Sequence, residues 1–342
     1  MNAPLAPPAP NTKPIEHGGN LDAARKAYPD APLPWIDLST GINPKPWPRP
    51  RLSRLAWERL PEPAALTQLQ AAAARYYAVS DPGQIVAGPG TQALIQWLAE
   101  LFPGPRIGIL GFTYGEYAHV WAAKGADVCV VDTPDDLHGF DLVIVVNPNN
   151  PDGRRLDAAQ VSRLCLQNAL VLVDEAFIEM SDGVESSAGL LRAGTRNLVV
   201  LRSFGKTFGL AGLRLGFALA DGAIAARLRT KLGPWAVSGP AIELGVAAFE
   251  AQPWLARARV ERSRDARRLD RVLQASGFEI VGGTALFRLA ASPRAMDWHV
   301  KLARAGILSR AYVQRPDWLR FGLPGNGAAW RRLEAELRGG KP

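Results

Sequence analysis

Three apolar runs constrain what this chain can fold into: RIGIL at 106–110, DVCVV at 127–131 and DLVIVVN at 141–147. Each is hydrophobic almost throughout, as a strand is when both faces of its sheet are covered. The helical stretch YGEYAHVWAAKG at 114–125 separates the first two. That alternation implies a mostly parallel sheet with crossover helices, in an α/β layer. Ligands of such sheets gather beyond the carboxyl ends of the strands, so the loops there are where chemistry is expected.

The segment LRSFGKTFGLAGLRLGF at 201–217 places a lysine in one of those loops. Lys206 sits in a Ser/Gly/Thr-rich turn between the apolar stretches Leu198 to Leu201 and Leu215 to Leu219. Ser203 lies three residues before it and Arg214 eight after. A lysine that forms a Schiff base needs an unprotonated amine, which a nearby cation favours. Ser203 by one hydrogen bond and Arg214 by a bidentate fork can both hold a phosphate. The trio describes a pyridoxal 5'-phosphate site.

Other loops supply the remaining parts. Gly88-Pro89-Gly90-Thr91-Gln92 opens a helix, and a glycine turn feeding a helix N-terminus binds anions. In Gly111-Phe112-Thr113-Tyr114, Tyr114 can stack on a flat ring. Two Asn-Pro steps in Asn147-Pro148-Asn149-Asn150-Pro151 make a rigid turn, from which Asn150 can donate to a phenolate oxygen. The buried run ALVLVDEAF at 169–177 carries Asp174-Glu175. An acid there needs a cationic partner, which a pyridinium nitrogen provides; Asp174 then keeps the ring an electron sink. Near the start, His17-Gly18-Gly19-Asn20 is a turn, and Ser39-Thr40-Gly41-Ile42-Asn43-Pro44 offers an anion several donors.

Composition narrows the class. With 342 residues and 47% hydrophobic content, the chain can build one large core and a smaller one. No apolar run reaches membrane-spanning length, and the first fourteen residues read as a disordered Pro/Ala tail. Cys129 and Cys165 read as buried thiols in a reducing, cytoplasmic compartment, without metal-ligand spacing. The net charge of +8 is concentrated in RARVERSRDARRLDR at 257–271, where acids and bases mix at helical spacing. This is expected to be a solvated helix face and not a nucleic-acid surface.

The order of these motifs resembles fold-type I pyridoxal phosphate enzymes of the aminotransferase class that contains histidinol-phosphate aminotransferase, from about His17 to Arg338. Within that class, His17-Gly18-Gly19-Asn20, the strand leading to Asn43-Pro44 and Asp174-Glu175-Ala176-Phe177 are most similar to the threonine-phosphate decarboxylases of cobalamin biosynthesis. The resemblance implies a large domain over 46–240, with a mostly parallel seven-stranded sheet between helices. It also implies an arm over 15–45, a smaller α+β domain over 241–342, and a homodimer. By the same resemblance Lys206 carries the cofactor, Asp174 meets the pyridine nitrogen, Asn150 the ring oxygen and Tyr114 the ring face, with Gly90, Thr91, Ser203 and Arg214 on the phosphate. The resemblance implies Lys206, Asp174 and Tyr114 as the catalytic residues. It likewise implies that His17, Gly19, Asn43, Asn150, Arg310 and Arg320 face a small phosphorylated amino acid, Arg320 at its carboxylate and Arg310 at its phosphate. No metal is implied.

Two positions depart from the class. Phe177 stands where a tyrosine usually meets the ring oxygen, and Leu60 where a tyrosine usually reaches the partner subunit's phosphate. Three activities stay open at this level: phosphothreonine decarboxylase, histidinol-phosphate aminotransferase, and a catalytically silent binding protein. The retained Lys206, Asp174, Asn150 and Arg214 weigh against the last.

Overall fold

The computed structural model describes residues 17–181, 183 and 185–338. The tail expected over residues 1–14 lies outside the described residues, as do the first two positions of the 15–45 arm.

A seven-stranded sheet forms the centre. Its strands are β1 (Ile85–Gly88), β2 (Arg106–Leu110), β3 (Asp127–Val131), β4 (Leu142–Val146), β5 (Val171–Asp174), β6 (Leu198–Ser203) and β7 (Gly216–Ala220). The spatial order is β1-β7-β6-β5-β4-β2-β3. Strands β6, β5, β4, β2 and β3 run parallel, and β7 runs against both its neighbours. The period of two shows in the core. Val143 and Val145 of β4, with Val171 and Val173 of β5, enter one cluster; Leu142, Ile144, Val146 and Leu172 enter another on the opposite face.

Helices cover both faces, which is why the strands are apolar, save that the edge strand β3 stays half-exposed, with Val130 58% exposed. α1 (Pro63–Tyr77), α4 (Ala158–Gln167) and α6 (Gly239–Phe249) bury Leu69, Val161 and Leu244 in the first cluster. α2 (Thr91–Leu101), α3 (Glu116–Ala122) and α5 (Gly222–Leu232) bury Leu94, Val120 and Leu228 in the second.

A second, antiparallel sheet has the order β10-β11-β9-β8, from β8 (Glu279–Thr284), β9 (Phe287–Ala291), β10 (Arg310–Ala311) and β11 (Trp318–Gly322). It packs with α7 (Gln252–Ala275), α8 (Ala295–Arg304) and α9 (Gly327–Arg338) around Leu269, Trp298, Phe321 and Leu333. Leu38 of the arm is buried in the same cluster, next to the parallel pairing of Ile36–Asp37 with Ile307–Leu308.

Two expectations need correction. The basic stretch 257–271 lies on α7, but its face is not uniformly solvated: Arg262 is only 1% exposed. Cys129 and Cys165 are half-buried, because Cys129 lies on the edge strand β3 and Cys165 near the end of α4. Burial still pushes the Cys165 thiol up to about 11.

Candidate active site

A cavity of about 910 Å³ opens over the carboxyl ends of β2, β4, β5 and β6. Chain order reverses between β2 and β4, so the loops that follow them diverge and leave a crevice. Lys206 lies at its floor, in a single helical turn over Phe204–Thr207 that begins where β6 ends. Burial pushes its amine below the ordinary lysine range; Arg320 and Arg214 push the same way, and Asp174 and Glu179 oppose them. The result is an amine inclined to be neutral.

Asp174 ends β5 and faces the same cavity. Its Oδ1 accepts from the Ala176 N–H at 2.9 Å and its Oδ2 from the Tyr117 hydroxyl at 2.7 Å. Tyr114 lines the cavity one turn from Tyr117, with their rings edge to face. Its hydroxyl donates to Gln92 Oε1 at 3.1 Å, and Gln92 Nε2 donates to Glu116 Oε2 at 2.6 Å. His17 completes this line through Nε2, 2.8 Å from Glu116 Oε1. Gln92, Glu116 and Tyr117 were not selected from sequence. The i, i+3 spacing of Tyr114 and Tyr117 at a strand-to-helix turn is the signal that could have found the last.

The far corner is built for an anion. α2 begins at Thr91, and Gly90 before it supplies no side-chain cap, so the first N–H groups of the helix are free to face a ligand. Gly90 has φ +87°, and a Cβ there would lie 2.7 Å from Arg214 Nη2. Ser203 pairs in register with Gly216, and a Cβ at Gly216 would meet the Thr91 nitrogen at 2.6 Å. Glycine at both places lets Thr91, Ser203 and Arg214 converge.

Arg310 and Arg320 are direct cross-strand partners on β10 and β11, and both line the cavity. Like charges placed opposite one another repel, so the pair is best satisfied by anions between or beside them. Arg320 Nη1 donates to Asn150 Oδ1 and its Nη2 to the Ser39 carbonyl, each at 2.5 Å. Its buried Nε has no hydrogen-bond partner among the described residues. With its oxygen engaged by Arg320, Asn150 presents its amide N–H group as a donor.

Two expected substrate residues sit elsewhere. Asn43 does not line the cavity: its side-chain amide donates to the Thr207 carbonyl at 3.0 Å, behind the lysine turn. Gly19 also lies off the lining; its N–H donates to Ser39 Oγ at 2.7 Å, and the neighbouring His17 and Gly18 face the cavity instead. Phe177 places its ring 5.1 Å from Lys206 Nζ, so the amine meets an apolar face where a phenol was the class expectation. Among the described residues no group of His, Cys, Asp or Glu could hold a metal.

Residues 34–329 match the sequence model of the family described as aminotransferase class I and II. The chain belongs to that family. Among curated relatives it is 44% identical to a threonine-phosphate decarboxylase from Sinorhizobium sp. over 332 residues, covering 95% of this chain and 98% of the relative. It is 40% identical to a threonine-phosphate decarboxylase from Pseudomonas aeruginosa, covering 96% and 98%. Its fold matches that of a histidinol-phosphate aminotransferase from Sinorhizobium meliloti in complex with pyridoxal-5'-phosphate, with TM-score 0.78, 20% identity and 96% of each chain covered.

As a class I and II aminotransferase relative, the chain has a cavity that fits pyridoxal phosphate. The glycine cradle at Gly90 and Gly216 leaves room for a phosphate, Asp174 is a buried acid, and Lys206 is a lysine of lowered basicity.

Proposed function

We propose that this chain is a pyridoxal phosphate-dependent carboxy-lyase that decarboxylates L-threonine O-3-phosphate to (R)-1-amino-2-propanol O-2-phosphate. The observation that carries this reading is the 44% identity, over nearly the whole of both chains, to a threonine-phosphate decarboxylase.

The bound cofactor supplies an electron sink for the pair left at substrate Cα when carbon dioxide departs. In this reading Gly90, Thr91, Ser203 and Arg214 hold its phosphate, Asp174 its pyridine nitrogen, Asn150 its ring oxygen and Tyr114 its ring face. The substrate carries two anionic groups at opposite ends of a short chain, and two guanidinium groups stand in register to receive them. Arg320 takes the carboxylate through its free Nε edge, and Arg310 the phosphate. Held there by Arg320, the carboxylate would be fixed in orientation, and that orientation would decide which bond at Cα is broken. Lys206 Nζ, kept from permanent charge by burial, then carries a proton to Cα.

The same reading places a second copy of the chain on the exposed patch of Leu55, Trp57 (69% exposed) and Leu60 (65% exposed), making a homodimer. The unpaired Cys129 and Cys165 support a cytoplasmic location. Among the described residues no helix is long and apolar enough to cross a membrane.

The test is to incubate purified protein with pyridoxal phosphate and phosphothreonine, without any 2-oxo acid. Carbon dioxide release with formation of the amino alcohol phosphate is expected. Turnover seen only with histidinol phosphate and 2-oxoglutarate overturns the decarboxylase reading in favour of amino transfer.

A further inference from the structure

The arginine that breaks the solvated face of α7 leads away from the surface to the back of the lysine turn. Arg262 Nη1 donates to Asn43 Oδ1 at 3.3 Å. Asn43 holds the turn at two points: its side-chain amide donates to the Thr207 carbonyl at 3.0 Å, and its backbone N–H to the Lys206 carbonyl at 2.9 Å. The other edge of the guanidinium is fixed by Asp265 Oδ2, at 3.1 Å from Nε and 2.7 Å from Nη2, and by Glu261 Oε2 at 3.2 Å. Lys45 N donates to the same Asn43 oxygen at 3.1 Å.

One turn earlier on the same helix, Arg259 donates to the carbonyl of Glu179. The Glu179 carboxylate accepts from Thr207 Oγ1 at 3.3 Å and from Arg202 at 2.9 Å. So α7 grips the residue after Lys206 from two sides: through Asn43 on its carbonyl, and through Glu179 on its hydroxyl. A buried arginine is costly unless its charge-bearing edges are used, and here one edge is used on the amide oxygen that Lys45 N–H also holds.

We propose that Arg262 is a positioning residue for Lys206, acting through Asn43 and thereby linking α7 to the reactive amine. The proposal rests on Lys206 carrying the cofactor, and it does not depend on which amino acid is the substrate. The amine works only from one place: burial does most to lower its basicity, and the charges of Asp174, Arg320, Arg214 and Glu179 then act on it by their distance from Nζ. A loosened turn changes those distances without touching the binding groups of the cavity.

The test uses the holoenzyme of Arg262→Met, Arg262→Lys, Asn43→Ala and the double variant Arg262→Met/Asn43→Ala. Arg264→Met, an exposed position on the same helix, is the control. For Arg262→Met, kcat is expected to fall about tenfold to a hundredfold with KM within about twofold, as for misplacement of a reacting group. The pH midpoint of the absorbance change of the lysine-bound cofactor is expected to move, with Arg262→Lys restoring part of both losses. Because one residue acts through the other, the double variant is expected to be no worse than the poorer single variant.

A parental kcat and parental midpoint in Arg262→Met overturn the proposal. So does a loss of thermal stability alone, or strictly additive losses in the double variant. If Arg262→Met fails to fold, Asn43→Ala decides alone, since the same midpoint shift is required of it. A parent that releases no carbon dioxide would sink the proposed substrate, while the absorbance midpoint would still decide this proposal.

Discussion

The hydroxyl of Tyr117 donates to Oδ2 of Asp174 across 2.7 Å, with both side chains buried at the carboxyl end of the sheet. Burial and the neighbouring carboxylate hold the tyrosine well above the ordinary phenol range, so it remains a donor at every working pH. With the Ala176 N–H on Oδ1, the carboxylate is fixed in orientation before any ligand arrives. Tyr117→Phe removes one hydrogen bond to a charged group, worth about 1.5–3 kcal/mol. Affinity for pyridoxal phosphate is expected to fall by roughly tenfold or more on that scale. Equilibrium dialysis of the apoprotein measures it, and unchanged affinity refutes the role.

A second prediction concerns the buried charges beneath the lysine turn. Arg202 bonds Glu175 Oε2 at 3.1 Å and Glu179 Oε1 at 2.9 Å, and its guanidinium lies 4.4 Å from the centre of the Tyr77 ring. Burial raises Glu175 above the ordinary carboxylate range, while Arg202, Ser186 and Ser187 pull it back. Arg202→Met strands two buried acids and is expected to cost about 3–5 kcal/mol in urea unfolding. A cost below the scatter of surface substitutions would show that the acids are solvated in the folded state.

Space beside Phe177 sets a third. A Cβ at Gly41 would lie 2.9 Å from both Phe177 and Phe287, whose rings are edge to face 4.9 Å apart. Gly41→Ala therefore overpacks that contact and is expected to destabilise by about 1–3 kcal/mol. Because Phe177 also faces Lys206 Nζ, the variant should lose activity along with stability. Thermal unfolding at parental midpoint would mean the two rings shift freely.

The lysine provides a fourth, through proton linkage. Its basicity is lowered in the folded chain from the ordinary value of 10.5. Between the lowered value and 10.5 the unfolded chain holds more protons at this position than the folded one, so folding stability gains as pH rises across that window. Lys206→Met removes this contribution. Comparing the two apoproteins, the parent should gain on the variant by up to about 1.4 kcal/mol per pH unit. Urea unfolding from neutrality upward measures the difference, and parallel curves would place the amine in water.

Much of this was legible along the chain. The apolar runs at 106–110, 127–131, 141–147 and 169–173 read as strands, and each appears in the central sheet, although 127–131 forms its half-exposed edge. The family resemblance pointed to Arg310 and Arg320, and local chemistry marked Gly90, Tyr114, Asn150, Asp174, Ser203, Lys206 and Arg214; all of them line one cavity. These are short-range signals: a strand end, a turn residue and a reactive group stand within a few positions of each other.

What the sequence by itself determined is the set of strand ends and the functional groups mounted on them, because hydrophobic periodicity and turn chemistry are written in neighbouring residues. Only the tertiary structure decided that the Asn43 amide meets the lysine turn, that the Tyr117 hydroxyl meets Asp174, and that Arg262 is buried within a charged helix. Those assignments join residues 57 to 219 positions apart. No periodicity reports on them, since they arise where two separately packed surfaces meet and a buried donor must take whatever acceptor the packing brings within reach.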